Sequence, residues 1–150
     1  VKPSPEAFAK TISLAAFDRE RVVMHEGRII ALAADAGLFG FIEARLPVIK
    51  AGTMIGELKK NELIPAHDLS MSARQRQEAW TRHSLSREEA LAFLRLEALN
   101  GSAMPEGRVL LTYRDVPLGF VKNLGNRVNN SYPRLWRIRM ERETVMTEIL

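Results

Sequence analysis

The chain has 150 residues, of which 46% are hydrophobic and 27% are charged, and this composition supports one ordinary domain or two small ones and excludes a disordered chain. It contains no cysteine, which excludes a disulfide framework, a thiol nucleophile and a cysteine-based zinc site and fits a reducing cytoplasm. No apolar run approaches the roughly 20 residues of a membrane-spanning helix, so we expect a cytoplasmic location and no membrane partner.

Positive charge is concentrated near the end of the chain. The formal net charge is +4, but residues 1–100 hold 14 Lys and Arg against 13 Asp and Glu, whereas residues 101–139 hold 7 against 2. Such a local excess favours a polyanionic partner more strongly than a high isoelectric point does.

The first predicted elements are an ambiguous segment and a β-hairpin. Prolines within residues 1–5 predict an irregular start, and residues 6–17 fit either a helix or a strand. Apolar and β-branched residues lie on both sides of a turn at Gly27, which predicts a hairpin over residues 21–32.

A short helix and two strands are expected next. Asp35 is placed to N-cap a helix that Pro47 would end. Strands are predicted over residues 48–50 and 53–59, and the polar stretch over residues 71–83 is predicted to be helical.

A capping box marks the start of the following helix. Ser86 is followed three residues later by Glu89, so the Ser86 side chain can accept from the backbone N–H of Glu89 while the Glu89 side chain reaches back to that of Ser86. An apolar stripe follows, and Asn100-Gly101 is predicted to end the helix.

The remaining elements are predicted to form a second hairpin and its continuation. In chain order they are a strand over residues 108–113, a turn at Arg114-Asp115, a strand over 116–121, a loop over 122–133, a strand over 135–140, and a tail or frayed helix over 141–150.

Strand and turn signals this dense predict an α+β fold of two small β-rich domains with flanking helices. We expect the first domain over residues 1–84, the second over residues 85–140, and a tail after it.

The sequence predicts no catalytic or metal site. His25, His67 and His83 lie on three different elements without a partner at helical spacing, and turn or surface positions explain them. The paired Glu88 and Glu89 belong to the first turn of a helix, and no Gly-rich phosphate loop or nucleophile elbow occurs.

Residues 116–139 combine cations, amides and aromatic rings and contain no acidic side chain. Lysine and arginine neutralise phosphates, asparagine hydrogen-bonds bases and sugars, and aromatic rings offer faces for stacking. The alternative is that Tyr132 and Trp136 are core aromatics and the asparagines form turns. We favour nucleic-acid binding for the cations, and we expect Trp136 mostly in the core, supporting Arg137.

Three segments resemble the C-terminal region of bacterial small-subunit rRNA cytosine-5 methyltransferases, the Nol/Nop/Sun (RsmF-like) family. Residues 117–139 read PLGFVKNLGNRVNNSYPRLWRIR and resemble the most specific motif of its PUA-like domain. Residues 85–99 read LSREEALAFLRLEAL and resemble the helix that enters that domain. Residues 49–72 read IKAGTMIGELKKNELIPAHDLSMS and resemble the preceding small domain.

The resemblance implies that the second domain is a PUA-like pseudo-barrel, which helps to dock RNA beside a catalytic domain. Catalysis in the family uses two cysteines and a Rossmann domain that binds S-adenosylmethionine. This chain has neither, so no catalytic residue carries over, and the cofactor is expected for the parent enzyme alone. The chain is then the C-terminal portion of such an enzyme, with its catalytic domain upstream of Val1.

Small-subunit rRNA and the missing catalytic domain of the same polypeptide are the partners that the resemblance implies. The residues that carry over as RNA contacts are Lys122, Asn126, Arg127, Asn129, Asn130, Tyr132 and Arg137, and those that could extend the surface are Lys50, Lys59, Lys60 and Arg134.

Two rival functions stay open. The chain could be a protein-interaction or scaffolding module in which the Trp136 strand packs on the catalytic domain without binding RNA. A self-contained small enzyme is the least supported hypothesis, because no catalytic constellation is present.

Overall fold

The computed structural model describes residues 21–25, 27–60, 62–74 and 76–140. These residues form two compact units, one ending at Trp80 and the other beginning at Thr81. Each unit is built on its own four-stranded sheet, so the predicted α+β fold of two small β-rich units is confirmed. The predictions for residues 6–17 and 141–150 lie outside the described residues.

The first unit is an antiparallel sheet in which the strands follow one another in chain order. The predicted hairpin is confirmed, and Gly27 takes a φ of 79° at its turn, in the region that favours glycine. Ile29, Ile55 and Leu69 are fully buried in this unit. The strands are β1 (Val22–His25), β2 (Arg28–Leu32), β3 (Gly52–Lys59) and β4 (Glu62–Pro65).

Helix α1 (Ala36–Glu43) is capped as predicted, because the Asp35 carboxylate accepts from the Leu38 N–H over 2.8 Å. The helix ends before Pro47 is reached, and none of its residues is buried. The strand predicted over residues 48–50 is wrong: the segment is irregular, and Ile49 is fully exposed, so pairing there would bury no apolar side chain.

The helix predicted over residues 71–83 is also wrong. After the single turn α2 (His67–Ser70), the chain makes turns and a 3₁₀ turn (Gln77–Ala79), then enters strand β5 (Thr81–Ser84). This strand pairs in parallel with β6 (Gly107–Tyr113), a non-local partner that the local polar composition does not reveal.

The second unit has the sheet order β5-β6-β7-β8, with β7 (Val116–Asn123) and β8 (Val128–Asn130) both antiparallel to their neighbours. The predicted turn between β6 and β7 is confirmed. Arg114 and Asp115 have φ of 49° and 63°, the pair of positive angles of a type I′ hairpin turn.

Helix α3 (Arg87–Leu94) carries the predicted capping box. The Glu89 N–H donates to Ser86 Oγ over 3.2 Å, and the Ser86 N–H donates to Glu89 Oε2 over 2.8 Å. The helix ends earlier than predicted, before Arg95, and Leu96 takes a φ of 57°. Its apolar face packs into a core made of Leu85, Ala90, Phe93, Met104, Val109, Leu111 and Val121.

The end of the second unit differs from the prediction. The predicted loop over residues 122–133 contains β8, because a turn at Gly125 (φ 80°) brings residues 128–130 back beside β7. The strand predicted over residues 135–140 is wrong, since β8 already occupies that edge, and the chain instead forms a 3₁₀ turn (Arg134–Trp136) and an irregular end. Trp136 is 55% exposed, so the expectation that it lies mostly in the core is wrong as well.

No helix within the described ranges combines the length and the apolar character needed to cross a bilayer.

Candidate nucleic-acid interface

An open groove with a volume of about 980 Å³ lies between the segment that follows α3 and the edge strand β8 with its continuation. Helix α3 ends at Leu94, and the irregular segment after it forms one wall of the groove. The residues that line the groove are Arg95, Leu96, Glu97, Ala98, Val128, Asn129, Asn130, Tyr132, Arg134, Arg137 and Arg139.

Two hydrogen bonds donated by the C-terminal wall join it to the end of α3. Asn130 Nδ2 donates to the carbonyl oxygen of Phe93 over 2.9 Å, and Asn130 Oδ1 accepts from the Tyr132 N–H over 2.8 Å. The Ile138 N–H donates to the carbonyl oxygen of Leu94 over 3.1 Å. Two crossing points therefore fix the C-terminal wall against the end of α3.

Three aromatic rings connect the core to the surface beside the groove. Tyr132 meets the buried ring of Phe93 edge to face, with centroids 5.3 Å apart, and meets Trp136 in the same manner at 6.4 Å. The Tyr132 hydroxyl donates to the carbonyl oxygen of Trp136 over 3.4 Å. Tyr132 is thus half-buried within the unit, whereas Trp136 is more than half exposed.

The groove is strongly cationic. Arg134, Arg137 and Arg139 are exposed, and among the lining residues only Glu97 is acidic. That carboxylate pairs with a fourth lining arginine, Arg95, whose Nε lies 2.7 Å from Glu97 Oε1, so the lining holds four arginines and one acidic side chain. Several guanidinium groups along one open groove are suited to successive phosphates of a polyanion.

Sequence reasoning did not name two of these arginines individually as RNA contacts. Arg139 lies in the basic stretch whose cations were favoured as nucleic-acid contacts, so its charge was already the signal. Arg95 gave no local signal, because it caps the C-terminal end of α3 and reaches the groove through the tertiary fold.

A second cationic row crosses the sheet. Arg108, Lys122 and Asn129 are direct partners on β6, β7 and β8, so their side chains project from the same face. Asn129 also lines the groove and connects the row to it.

Two more of the predicted residues, Asn126 and Arg127, are exposed on the turn between β7 and β8. The Leu124 N–H donates to the Arg127 carbonyl oxygen over 2.9 Å, and Asn123 Oδ1 accepts from the Gly125 N–H over 3.0 Å. The backbone hydrogen bond and the buried Asn123 side chain together fix the conformation of this turn. The positions of Asn126 and Arg127 are therefore defined.

The three lysines predicted as an extension belong to the first unit. Lys50 Nζ lies 2.8 Å from Asp68 Oδ2, and Lys59 Nζ lies 3.3 Å from Glu57 Oε2. Lys60 has a φ of 50° in the turn between β3 and β4. The charges of Lys50 and Lys59 are therefore partly balanced within that unit.

The histidines do not assemble into a site. His67 is half-buried, and burial lowers its pKa below the usual 6.5 while the carboxylate of Asp68 opposes this shift. Its Nδ1 lies 3.3 Å from Ser70 Oγ, a contact within one helical turn. In the ranges that the structure describes, no three His, Asp or Glu side chains cluster in a way that could hold a metal ion.

The second unit is similar in sequence to a family of methyltransferase domains. Residues 81–138 match the model of the methyltransferase RsmF PUA domain. Two curated relatives, each called ribosomal RNA small subunit methyltransferase F, come from Shewanella halifaxensis and Shewanella pealeana. Each is 43% identical over 56 residues, which make up 36% of this chain and 12% of the relative's own length. The matched stretch thus spans about an eighth of the curated relatives.

Proposed function

Because residues 81–138 match the model of the methyltransferase RsmF PUA domain, we propose that this chain is the RNA-binding C-terminal region of an rRNA methyltransferase. The observation that carries the proposal is the groove beside β8, in which Arg134, Arg137 and Arg139 are exposed together. Affinity would come largely from phosphate contacts, and specificity from RNA shape and a few exposed bases.

The predicted site residues divide into two roles under this proposal. Asn130 and Tyr132 are positioning residues, because their polar atoms form hydrogen bonds inside the protein. The residues proposed to contact RNA are Lys122, Asn126, Arg127, Asn129, Arg134, Arg137 and, in addition, Arg139.

We propose that the parent enzyme modifies the C5 position of a cytosine in small-subunit rRNA and that it uses S-adenosylmethionine. The groove does not fit that cofactor, since its sulfonium and ammonium groups outweigh its carboxylate, and the exposed lining arginines would repel the resulting net positive charge. The cofactor would bind instead to a catalytic domain of the same polypeptide, which is the second proposed partner.

The proposed setting is the cytoplasm, where the chain would act without a membrane partner. The domain boundary predicted between residues 84 and 85 stays a prediction. The pairing of β5 with β6 favours a second domain that begins at Thr81.

The test is the salt dependence of RNA binding. The full chain is titrated with a folded fragment of small-subunit rRNA at several salt concentrations, and compared with the Arg134→Ala/Arg137→Ala/Arg139→Ala variant. We expect the slope of log K against log salt to fall by about one unit for each phosphate contact removed.

A matched control removes charge elsewhere on the same sheet. Arg114 lies in the turn at the end of β6, six residues after Arg108, or about 20 Å at the rise of a strand, and Asn suits its left-handed backbone angle. The Arg114→Asn variant should bind as the parent does. Equal binding by the triple variant and the parent would refute the groove assignment, and absence of RNA binding by the parent would refute the function.

One observation supports the scaffolding alternative. Leu38 and Phe41 of α1 are 49% and 58% exposed on a helix without buried residues, an apolar surface that a protein partner could cover. Under this alternative the chain would associate with the catalytic domain in a salt-insensitive manner and would not bind RNA.

A further inference from the structure

We propose that Trp136 is a stacking platform for one unpaired RNA base beside the arginine groove. The inference rests on the proposed RNA-binding function and deepens it, because it names the form of RNA that the groove accepts: a single strand or a flipped-out nucleotide. The sequence predicts the opposite role, a core tryptophan.

Exposure is the first argument. Trp136 is 55% exposed, although a tryptophan in a small domain ordinarily contributes most of its surface to packing. It lies beside an open groove lined by three exposed arginines. An exposed aromatic ring at this position can stack on a base of RNA bound in the groove.

Rigidity is the second argument. The Trp136 ring rests against Tyr132, which itself rests against the fully buried Phe93. The Trp136 backbone is held at both polar groups, since its N–H donates to the Pro133 carbonyl over 3.0 Å and its carbonyl accepts from the Tyr132 hydroxyl. An aromatic ring that is already ordered loses little conformational entropy when a ligand stacks on it.

The charge around the ring is the third argument. Arg134 and Arg137 flank Trp136 in the chain, and both line the groove. A base stacked on the indole would bring its own phosphates towards guanidinium groups, which combines the two elements of single-strand binding, an aromatic platform and a cationic track. Bases inside a duplex are already stacked and paired, so they cannot use the platform.

The experiment compares two RNA probes on the full chain. One is a labelled oligouridylate of about eight nucleotides, and the other is a labelled RNA duplex of about 16 base pairs. Binding is followed by fluorescence anisotropy for the parent and for the Trp136→Ala, Trp136→Phe and Leu135→Ala variants. Leu135 is the matched control, because it is the adjacent residue, apolar and 92% exposed.

We expect Trp136→Ala to weaken oligouridylate binding about 5- to 150-fold, the value of one base–aromatic stack, and to leave duplex binding close to that of the parent. Trp136→Phe should retain most of the affinity, and Leu135→Ala should bind both probes as the parent does. Oligouridylate should quench the intrinsic fluorescence of the parent more than that of Trp136→Phe, which reports contact with this indole even if Trp136→Ala does not fold.

Two results would overturn the inference alone: unchanged oligouridylate binding by Trp136→Ala, or equal quenching of the parent and Trp136→Phe. Trp136 would then be assigned to a contact with protein. If the parent binds neither probe, the proposed RNA-binding function itself is contradicted.

Discussion

The amide of Asn130 donates to the carbonyl oxygen of Phe93 over 2.9 Å and so joins the edge strand β8 to the last turn of α3. The residues that follow α3 form one wall of the arginine-lined groove, and β8 with the residues after it forms the other. The other side of the same amide accepts from the Tyr132 N–H, which starts the aromatic chain leading to Trp136. One side chain therefore helps to hold the two walls together and also holds the backbone of Tyr132, the middle ring of the aromatic border.

Replacement of Asn130 by Ala should destabilise the second unit and weaken RNA binding together. The change leaves the Phe93 carbonyl and the Tyr132 N–H without these partners, at a cost of about 1–2 kcal/mol. For a unit of this size, each kcal/mol lowers the melting temperature by about 4–8 °C. Thermal unfolding measures the first effect and anisotropy with labelled RNA the second.

The control for this variant is Asn126→Ala, since Asn126 is exposed on the turn between β7 and β8. It should keep the melting temperature of the parent. An Asn130→Ala variant as stable as the parent would show that the groove walls are held by other contacts.

Asn123 holds the entry to β6, and its loss should be more costly than that of Asn130. It is 1% exposed, and its Nδ2 faces the carbonyl oxygens of Gly101, Met104 and Pro105 at 2.9, 2.8 and 3.3 Å. We expect Asn123→Ala to lower the free energy of unfolding by about 2–3 kcal/mol, because three acceptors, one buried and two partly buried, lose their donor.

Asn123→Asp sharpens the same prediction. The substitution keeps the shape but places a carboxylate oxygen against three carbonyl oxygens, so its unfolding midpoint in urea should lie below that of Asn123→Ala. The exposed Asn129, replaced by Ala, serves as the control on the adjacent strand. If the Asp and Ala variants have equal midpoints, the donor role of Nδ2 is not what stabilises this region.

Lys122 on β7 and Arg127 on the turn that follows β7 should contribute phosphate contacts of their own. We predict that Lys122→Ala/Arg127→Ala weakens binding of folded RNA about equally across sequences and lowers the salt slope by about one unit per lost contact. Because the groove arginines remain, single-strand stacking at Trp136 should persist. A salt slope identical to that of the parent would restrict the RNA surface to the groove.

The capping box of α3 should make stability depend on acid. The Ser86 backbone N–H, and then its side chain, hold the pKa of Glu89 below the usual 4.5. A carboxyl whose pKa is lower in the folded than in the unfolded state binds fewer protons when folded, so its contribution to stability is complete above pH 4.5 and is lost as the pH falls through the folded pKa.

Urea unfolding at neutral pH and near pH 3 measures this effect. Glu89→Gln should show a smaller loss of stability on acidification than the parent, because the amide keeps an acceptor for the Ser86 N–H but does not titrate. Glu88→Gln removes a carboxylate from the same helical turn while the capping box stays intact, so it separates the cap from the charge. An acid response of Glu89→Gln identical to that of the parent would contradict the assignment.

The sequence by itself determined the features that depend on neighbours within a few residues. The Ser86–Glu89 capping box, the Asp35 cap and the Arg114-Asp115 hairpin turn each close a short hydrogen-bonded ring, so their residue types are sufficient to predict them. The family motif and the excess of positive charge were likewise visible in the linear order of residues.

The tertiary structure determined which segments distant in the sequence pair as strands. Residues 81–84 became a strand because β6 offered a parallel edge, and residues 135–140 did not, because β8 had taken the edge of β7. The same closure left Trp136 exposed and brought Arg95 to the arginines near the end of the chain. Such pairings become favourable only after a long loop has closed. The local pattern of residue types therefore does not predict which strands will pair.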